Sequence, residues 1–317
     1  MRAIDTCCFV FPTKEILRYM VYAWGHFEGY LDLFGRNIVK AVGYSVEEYE
    51  KLKKTMSLDE LRDYMANLIE KFAIPLNSFV KMLDDAGIEK ANHINEDVET
   101  TTGVKPLSND YIASIVKEYP DKLTAFAGID PHKGEKAVKE VERAITKLEL
   151  SGITLYPFKH RLHPNDPKYY PIYEKCIELD VPVWIHTSNN WDFTVSADYG
   201  HPKYLDKLAA KYPDLKIIAG HAGWPWVNEM VIVAWRHKNI YIELSAFRPK
   251  HIVNPGSGFE PLLYYGDRTI RNKVVWGSTW ILLGMPPKNV LDEMKQLPVR
   301  KESLDKWLYE NAKKLFK

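Results

Sequence analysis

The chain has 317 residues, 46% hydrophobic and 27% charged, an ordinary globular balance able to bury a large core. Its 43 basic and 42 acidic side chains leave a net charge of +1, which excludes a nucleic-acid binder that is basic throughout. Three cysteines are an odd number and do not make a disulfide framework, and no run approaches the ~20 apolar residues of a membrane-spanning helix. The opening Met1-Arg2-Ala3-Ile4-Asp5 lacks the apolar stretch of a signal peptide, so the expectation is a cytoplasmic protein with neither a membrane nor a nucleic-acid partner.

Short apolar runs rich in Val, Ile and aromatic residues recur at 3–10, 91–95, 123–130, 153–157, 181–187, 216–220, 240–244 and 273–277. They are continuous rather than alternating, as in Val181-Pro-Val-Trp-Ile185, the pattern of strands buried on both faces of a parallel sheet. Between the first and second runs stands a long insertion, 11–76, which mixes Tyr19, Tyr22, Tyr30 and Phe34 with a charged helical stretch near 45–54. From the third run onward, helical spacing follows the strands. Ala137, Val138, Val141, Ala144, Ile145 and Leu148 mark a helix over 134–150, and 169–179, 202–212, 226–237 and 287–296 read the same way. Eight strand–helix units predict an α/β fold, a (β/α)8 TIM barrel forming one domain over 1–317. Loops as long as 11–76 usually serve function, so the insertion is expected to be helical and to cover the barrel mouth.

Two strands end in histidine, in Trp184-Ile-His186-Thr-Ser188 and Ala219-Gly-His221-Ala-Gly-Trp224. The C-terminal ends of barrel strands are where substrates bind, so two imidazoles on adjacent strands converge on one cavity and point to acid–base chemistry. Trp191, Trp224, Trp226 and Trp280 follow strands closely enough to wall such a cavity. The pair His160 and His163 lies in a loop rich in Pro and Asp and is expected at the surface. His26 and Glu28, in the insertion, are placed to reach the mouth from above.

Gly152-Ile-Thr-Leu-Tyr-Pro157, Pro182-Val-Trp-Ile-His186, Ala219-Gly-His221-Ala-Gly-Trp-Pro225, Tyr241-Ile-Glu-Leu-Ser245, Val275-Trp-Gly-Ser-Thr279 and Asn311-Ala-Lys-Lys-Leu-Phe316 stand in a telling order and spacing. The chain thereby resembles the amidohydrolase-related family, in the branch of aminocarboxymuconate-semialdehyde decarboxylase and the resorcylate-type decarboxylases. The resemblance implies a divalent metal such as zinc. Its ligands would come from an Asp-x-His-x-His run on the first strand, the fifth-strand histidine and an eighth-strand aspartate, with the sixth-strand histidine as general base. Carried over, the fifth-strand ligand matches His186 and the base matches His221. Cys7 and Phe9 stand where the first-strand ligands belong, and Thr279 where the aspartate belongs. A catalytic zinc needs three protein ligands, and Phe9 cannot donate. The expectation is therefore no metal cofactor; if an ion is bound, Cys7 and His186 are the candidate ligands.

What the resemblance then implies is a decarboxylase-, lyase- or hydrolase-type enzyme acting on a small aromatic or conjugated carboxylate through His186 and His221. Asp5 or Asp130 is a candidate to orient one imidazole. Tyr156, Trp191 and Thr279 are candidate substrate contacts, and Lys159, Arg161 and Arg248 candidate carboxylate clamps. Two other readings stay open: a non-catalytic binding or partner subunit on the same barrel, and a metal-dependent hydrolase with unorthodox ligands. Family members usually pair, so a homodimer is the expected assembly.

Overall fold

The computed structural model describes residues 2–25, 28–41 and 43–316; His26, and the side chain of Glu28, lie outside the described residues. Eight strands, β1 (Ala3–Phe9), β2 (Ile88–Ile94), β3 (Leu123–Gly128), β4 (Gly152–Leu155), β5 (Val183–His186), β6 (Ile217–Gly220), β7 (Ile240–Leu244) and β8 (Val274–Trp276), pair in chain order, each parallel to the next. The ring is completed between β8 and β1. Thr6 Oγ1 donates to the Trp276 carbonyl at 2.7 Å, Ser278 N to Asp5 Oδ1 at 2.8 Å, and Thr279 N to the Cys7 carbonyl at 2.9 Å. The fold is a TIM barrel. Every residue of β5 and β6 is buried, which is why both read as unbroken apolar runs.

Most elements end within one or two residues of the sequence reading, and the two larger differences have local reasons. β2 begins three residues early because Glu89 and Lys90 interrupt the apolar pattern without interrupting the strand. Glu89 is held there by Arg2 and by the Tyr309 hydroxyl at 3.0 Å. The helix expected over 134–150 is Glu135–Thr146: Glu149 adopts a left-handed φ of 60°, and Leu150 N reaches back to the Ala144 carbonyl at 3.0 Å. That closure is the usual left-handed helix end, here without glycine.

Among its described residues the insertion contains four α-helices, α1 (Lys14–Gly25), α2 (Glu28–Ala41), α3 (Val46–Thr55) and α4 (Leu58–Ile69), before α5 (Leu76–Ala86) leads into β2. Ser57 starts α4 with a capping box, accepting from Glu60 N while Glu60 accepts from Ser57 N. Tyr49 of α3 donates to the Leu31 carbonyl at 2.8 Å, and its ring lies where a side chain at Gly35 would sit, which fastens α3 to α2. Leu17, Met65 and Ile69 are fully buried between α1 and α4, and the apolar residues of the insertion join the barrel in one continuous core. Among the described residues no helix is long and apolar enough to cross a membrane.

Candidate active site

His186 ends β5 opposite Gly220, and His221 is the first residue past β6. His221 and Ala222 take left-handed φ values of 65° and 55°, a sharp turn that brings the two imidazoles to 5.0 Å between ring centroids at 75°. Glycine at 220 is required: a Cβ there would sit 2.1 Å from the Trp184 ring, which packs edge-on to His221 at 5.3 Å. Both histidines open onto a cavity of about 600 Å3. Tyr156, Phe158, Lys159, Trp191, Trp224, Phe247, Arg248 and Phe259 line it from the barrel loops, and Tyr30, Leu33, Phe34 and Asn37 line it from α2. Tyr30 stacks on Phe158 at 6.0 Å and Phe158 contacts His186 at 4.8 Å, so α2 is tied to the histidine pair by continuous ring contact.

The surroundings keep both imidazoles neutral at pH 7. Burial pushes His221 down to about 3; burial, then the neighbouring His221, holds His186 well below its usual range. His221 Nδ1 lies 2.7 Å from Ser245 Oγ, and Ser245 in turn donates to Glu243 Oε2 at 2.9 Å. The same oxygen accepts from Trp184 Nε1 and from His221 N, each at 3.3 Å. Burial raises Glu243 to about 8 despite these bonds. His186 Nδ1 is buried without a hydrogen-bond partner.

Among the described residues, Lys159 and Arg248 line the cavity as cations. Lys159 is buried, ion-paired to Glu96 at 2.5 Å and 4.9 Å above the Tyr156 ring. Burial lowers its pKa against the opposing pull of Glu96. Arg248 is ion-paired to Glu293, and its Nε is buried without a hydrogen-bond partner.

Other expected residues fall elsewhere. Arg161 is exposed and absent from the cavity lining, because its left-handed φ of 54° ends the short turn Pro157–His160 and sends the chain away. Thr279 is buried with its hydroxyl spent: it accepts from Ala246 N and donates to the Ser278 carbonyl, each at 2.8 Å. Trp226 packs on His201 at 4.9 Å and Trp280 on Phe79 at 5.8 Å, both outside the lining. His160 is buried rather than at the surface, bonded to the Tyr169 hydroxyl and the Asp97 carbonyl, each at 2.9 Å. Asp5 is held by Ser278, and Asp130 accepts from Thr100 N and His132 N, so neither orients an imidazole. That position belongs to Ser245 and Glu243. An acid inside a strand otherwise apolar on both faces was the available signal.

The donors at the family's metal positions can be compared with the ion's needs. Cys7 is buried, and burial followed by the Glu243 and Asp5 charges holds its thiol well above the usual range, against thiolate formation. Phe9 offers no lone pair and lines the cavity with its side chain, its backbone at φ 78°. Among the described residues, no three of His, Cys, Asp and Glu are grouped to hold an ion.

The γ-resorcylate decarboxylase of Polaromonas sp. (strain JS666) is 26% identical to this chain over 205 residues, 54% of this chain and 62% of that enzyme. The chain thus spans less than two-thirds of that relative's length. A TIM-barrel protein of Bordetella bronchiseptica shares the fold with a TM-score of 0.67 at 24% identity, over 78% of this chain and 83% of its own. A dihydroxybenzoic acid decarboxylase from Polaromonas sp. JS666, solved with manganese and the inhibitor 2-nitroresorcinol, shares it at 0.57 and 21% identity, over 86% and 93%. Manganese in that relative is at odds with the expectation of no metal cofactor. The profile of the Amidohydrolase family matches residues 76–317, well over half of the sequence, and this chain belongs to that family.

Proposed function

We propose that the chain is a lyase of the decarboxylase type, acting on a small planar carboxylate through His221 and His186 without the metal of its relatives. The observation that carries this reading is the imidazole pair, 5.0 Å apart, opening on an aromatic-walled cavity of about 600 Å3. That volume suits a small ring or conjugated acid. The decarboxylases it resembles act, by their names, on hydroxybenzoates. Lys159 and Arg248 supply positive charge to the wall, and the helices of 11–76 serve as a cover over the cavity.

For a hydroxybenzoate, the balance of protons and electrons is simple. His221 takes the phenolic proton and returns it to the ring carbon that bears the carboxylate. The carbon–carbon bond then breaks, its electron pair flows back through the ring to the oxygen, carbon dioxide leaves, and solvent reprotonates the phenolate. His186 donates a hydrogen bond to the oxygen where charge accumulates. The donor set does not fit a divalent cation, because Phe9 and the committed hydroxyl of Thr279 replace two donors and Cys7 favours its neutral form.

The test is carbon dioxide release from a panel of hydroxybenzoates and conjugated dicarboxylic acids. His221→Ala should lower turnover about 10²–10⁴-fold, the range of general acid–base catalysis, and His186→Ala should also reduce it. Unchanged turnover in His221→Ala rejects the assignment. The manganese-bound relative favours a second reading, a metal enzyme using Cys7, His186 and His221. Stoichiometric metal in the purified protein, with activity lost on chelation and restored by manganese, would select it. The expected homodimer is checked by light scattering.

A further inference from the structure

Glu243 and Ser245 form a buried chain behind His221 that touches no cavity space, since neither residue lines it. The direction of each proton in this chain follows from counting donors. Glu243 Oε2 faces two groups that can only donate, the His221 backbone N–H and the Trp184 indole N–H, each at 3.3 Å. An oxygen occupied by two obligate donors is an acceptor, so the Ser245 hydroxyl, 2.9 Å away, gives it its single proton. Ser245 Oγ then has only lone pairs to offer His221 Nδ1 at 2.7 Å. Nδ1 must carry the imidazole proton, and Nε2 keeps its lone pair for the cavity. Any proton on the carboxyl group belongs on Oε1, which is buried without a partner in the space left by Gly277, so the conclusion holds for either state of Glu243.

We propose that Glu243, acting through Ser245, is a positioning residue that locks His221 in the Nδ1–H tautomer and so makes its Nε2 the proton acceptor of the site. This rests on the histidine reading above and assigns the roles within it. His186 has the opposite arrangement. Its Nδ1 is buried with no partner, and a buried orphan acceptor is tolerated better than a buried orphan N–H, so its proton sits on Nε2. His221 accepts and His186 presents an N–H. When His221 takes a proton, the Ser245–Glu243 chain, with Oε2 at 3.9 Å from Nδ1, stabilises the imidazolium through a bond already in place.

The test is the tautomer itself, read by long-range ¹H–¹⁵N correlation on the full chain labelled with ¹⁵N-histidine, the His221 signals being identified by their loss in His221→Ala. The wild-type protein should show His221 protonated at Nδ1. Ser245→Ala should move the proton to Nε2, and Ser245→Thr, which keeps the hydroxyl, should restore Nδ1. Glu243→Gln should keep the Nδ1 tautomer, with the amide oxygen in the place of Oε2. Ser245→Ala should lower kcat about ten- to a hundredfold, the worth of one hydrogen bond to a charged group, with KM within about twofold. Wild-type His221 protonated at Nε2, or a Ser245→Ala spectrum matching wild type, overturns the relay whatever the activity. If the tautomers behave as stated while His221→Ala turns over normally, the histidine reading fails and the catalytic role of the relay fails with it.

Discussion

Lys159 sits where two demands meet. Its side chain is 1% exposed and that of its partner Glu96 is 8% exposed, so the pair is desolvated on both sides. It also lines the cavity as a cation, with Arg248. Removing one member of a buried pair strands the other, at a cost of about 3–5 kcal/mol, whereas replacing both with apolar residues is often neutral. Lys159→Met should therefore destabilise the protein by about that amount in denaturant unfolding, and adding Glu96→Leu should recover most of it. Substrate affinity should not return with stability, because the cation is still missing. A double variant with wild-type KM would show that Lys159 is a structural ion pair only. Arg161, read from the sequence alongside Lys159, illustrates what position along a chain omits. One residue separates them, and the left-handed turn at Arg161 sends one side chain into the cavity and the other to solvent.

At the scale of elements, the cavity depends on how α2 docks. Gly29, near its start, approaches the loop after β5 so closely that a Cβ would fall 2.1 Å from the Trp191 carbonyl oxygen and 2.7 Å from the Phe193 ring. Backbone cannot yield as a side-chain tip can, so Gly29→Ala should lift α2 away and displace Tyr30 and Phe34 from the cavity. Misplacement of about 1 Å can cost 10²-fold, and kcat/KM should fall by roughly that factor with the barrel still folded by circular dichroism. A Gly29→Ala enzyme with wild-type kcat/KM would mean the helices of 11–76 do not shape the site. Most strands were legible because burial on both faces keeps them largely apolar, and β1 through β8 all overlap apolar runs, β2 alone losing its start to Glu89 and Lys90. His186 and His221 were legible for the same reason, as polar ends on apolar strands. The docking of α2 was not, since it rests on contacts such as Tyr49 with Gly35 and Tyr30 with Phe158 that pair residues far apart in sequence. Glu243 was hidden differently: its role depends on Trp184, Ser245 and His221 arriving together from three strands.

For the whole molecule, the buried titratable groups oppose one another and set a pH optimum for stability. Burial lowers His221 and His93 to about 3 and His160 to about 4, and also lowers His186. Their folded pKa values lie below the unfolded value near 6.5, so the stability they allow is present above pH 6.5 and lost as pH falls toward 3. Burial raises Asp5 to about 7 and Glu243 to about 8, above unfolded values near 4. Those two have the opposite sign: the unfolded chain releases their protons first, and stability is lost as pH rises through 7 and 8. Each fully mismatched proton is worth about 1.4 kcal/mol per pH unit. Four histidines outweigh two carboxyl groups below pH 6.5, and the carboxyl groups prevail above it. Lys273, lowered by burial to about 8, gains stability as pH rises through that value and offsets part of the carboxyl loss, so unfolding free energy should peak near pH 7 with a shallow alkaline limb and a steeper fall on the acid side. Glu243→Gln, which has no proton to lose, should raise the alkaline limb relative to wild type and steepen the acid limb above about pH 4.5. Urea titrations at half-unit pH steps decide it: a slope between pH 7 and 8.5 unchanged in Glu243→Gln would mean that Glu243 is ionised in the folded barrel at neutral pH.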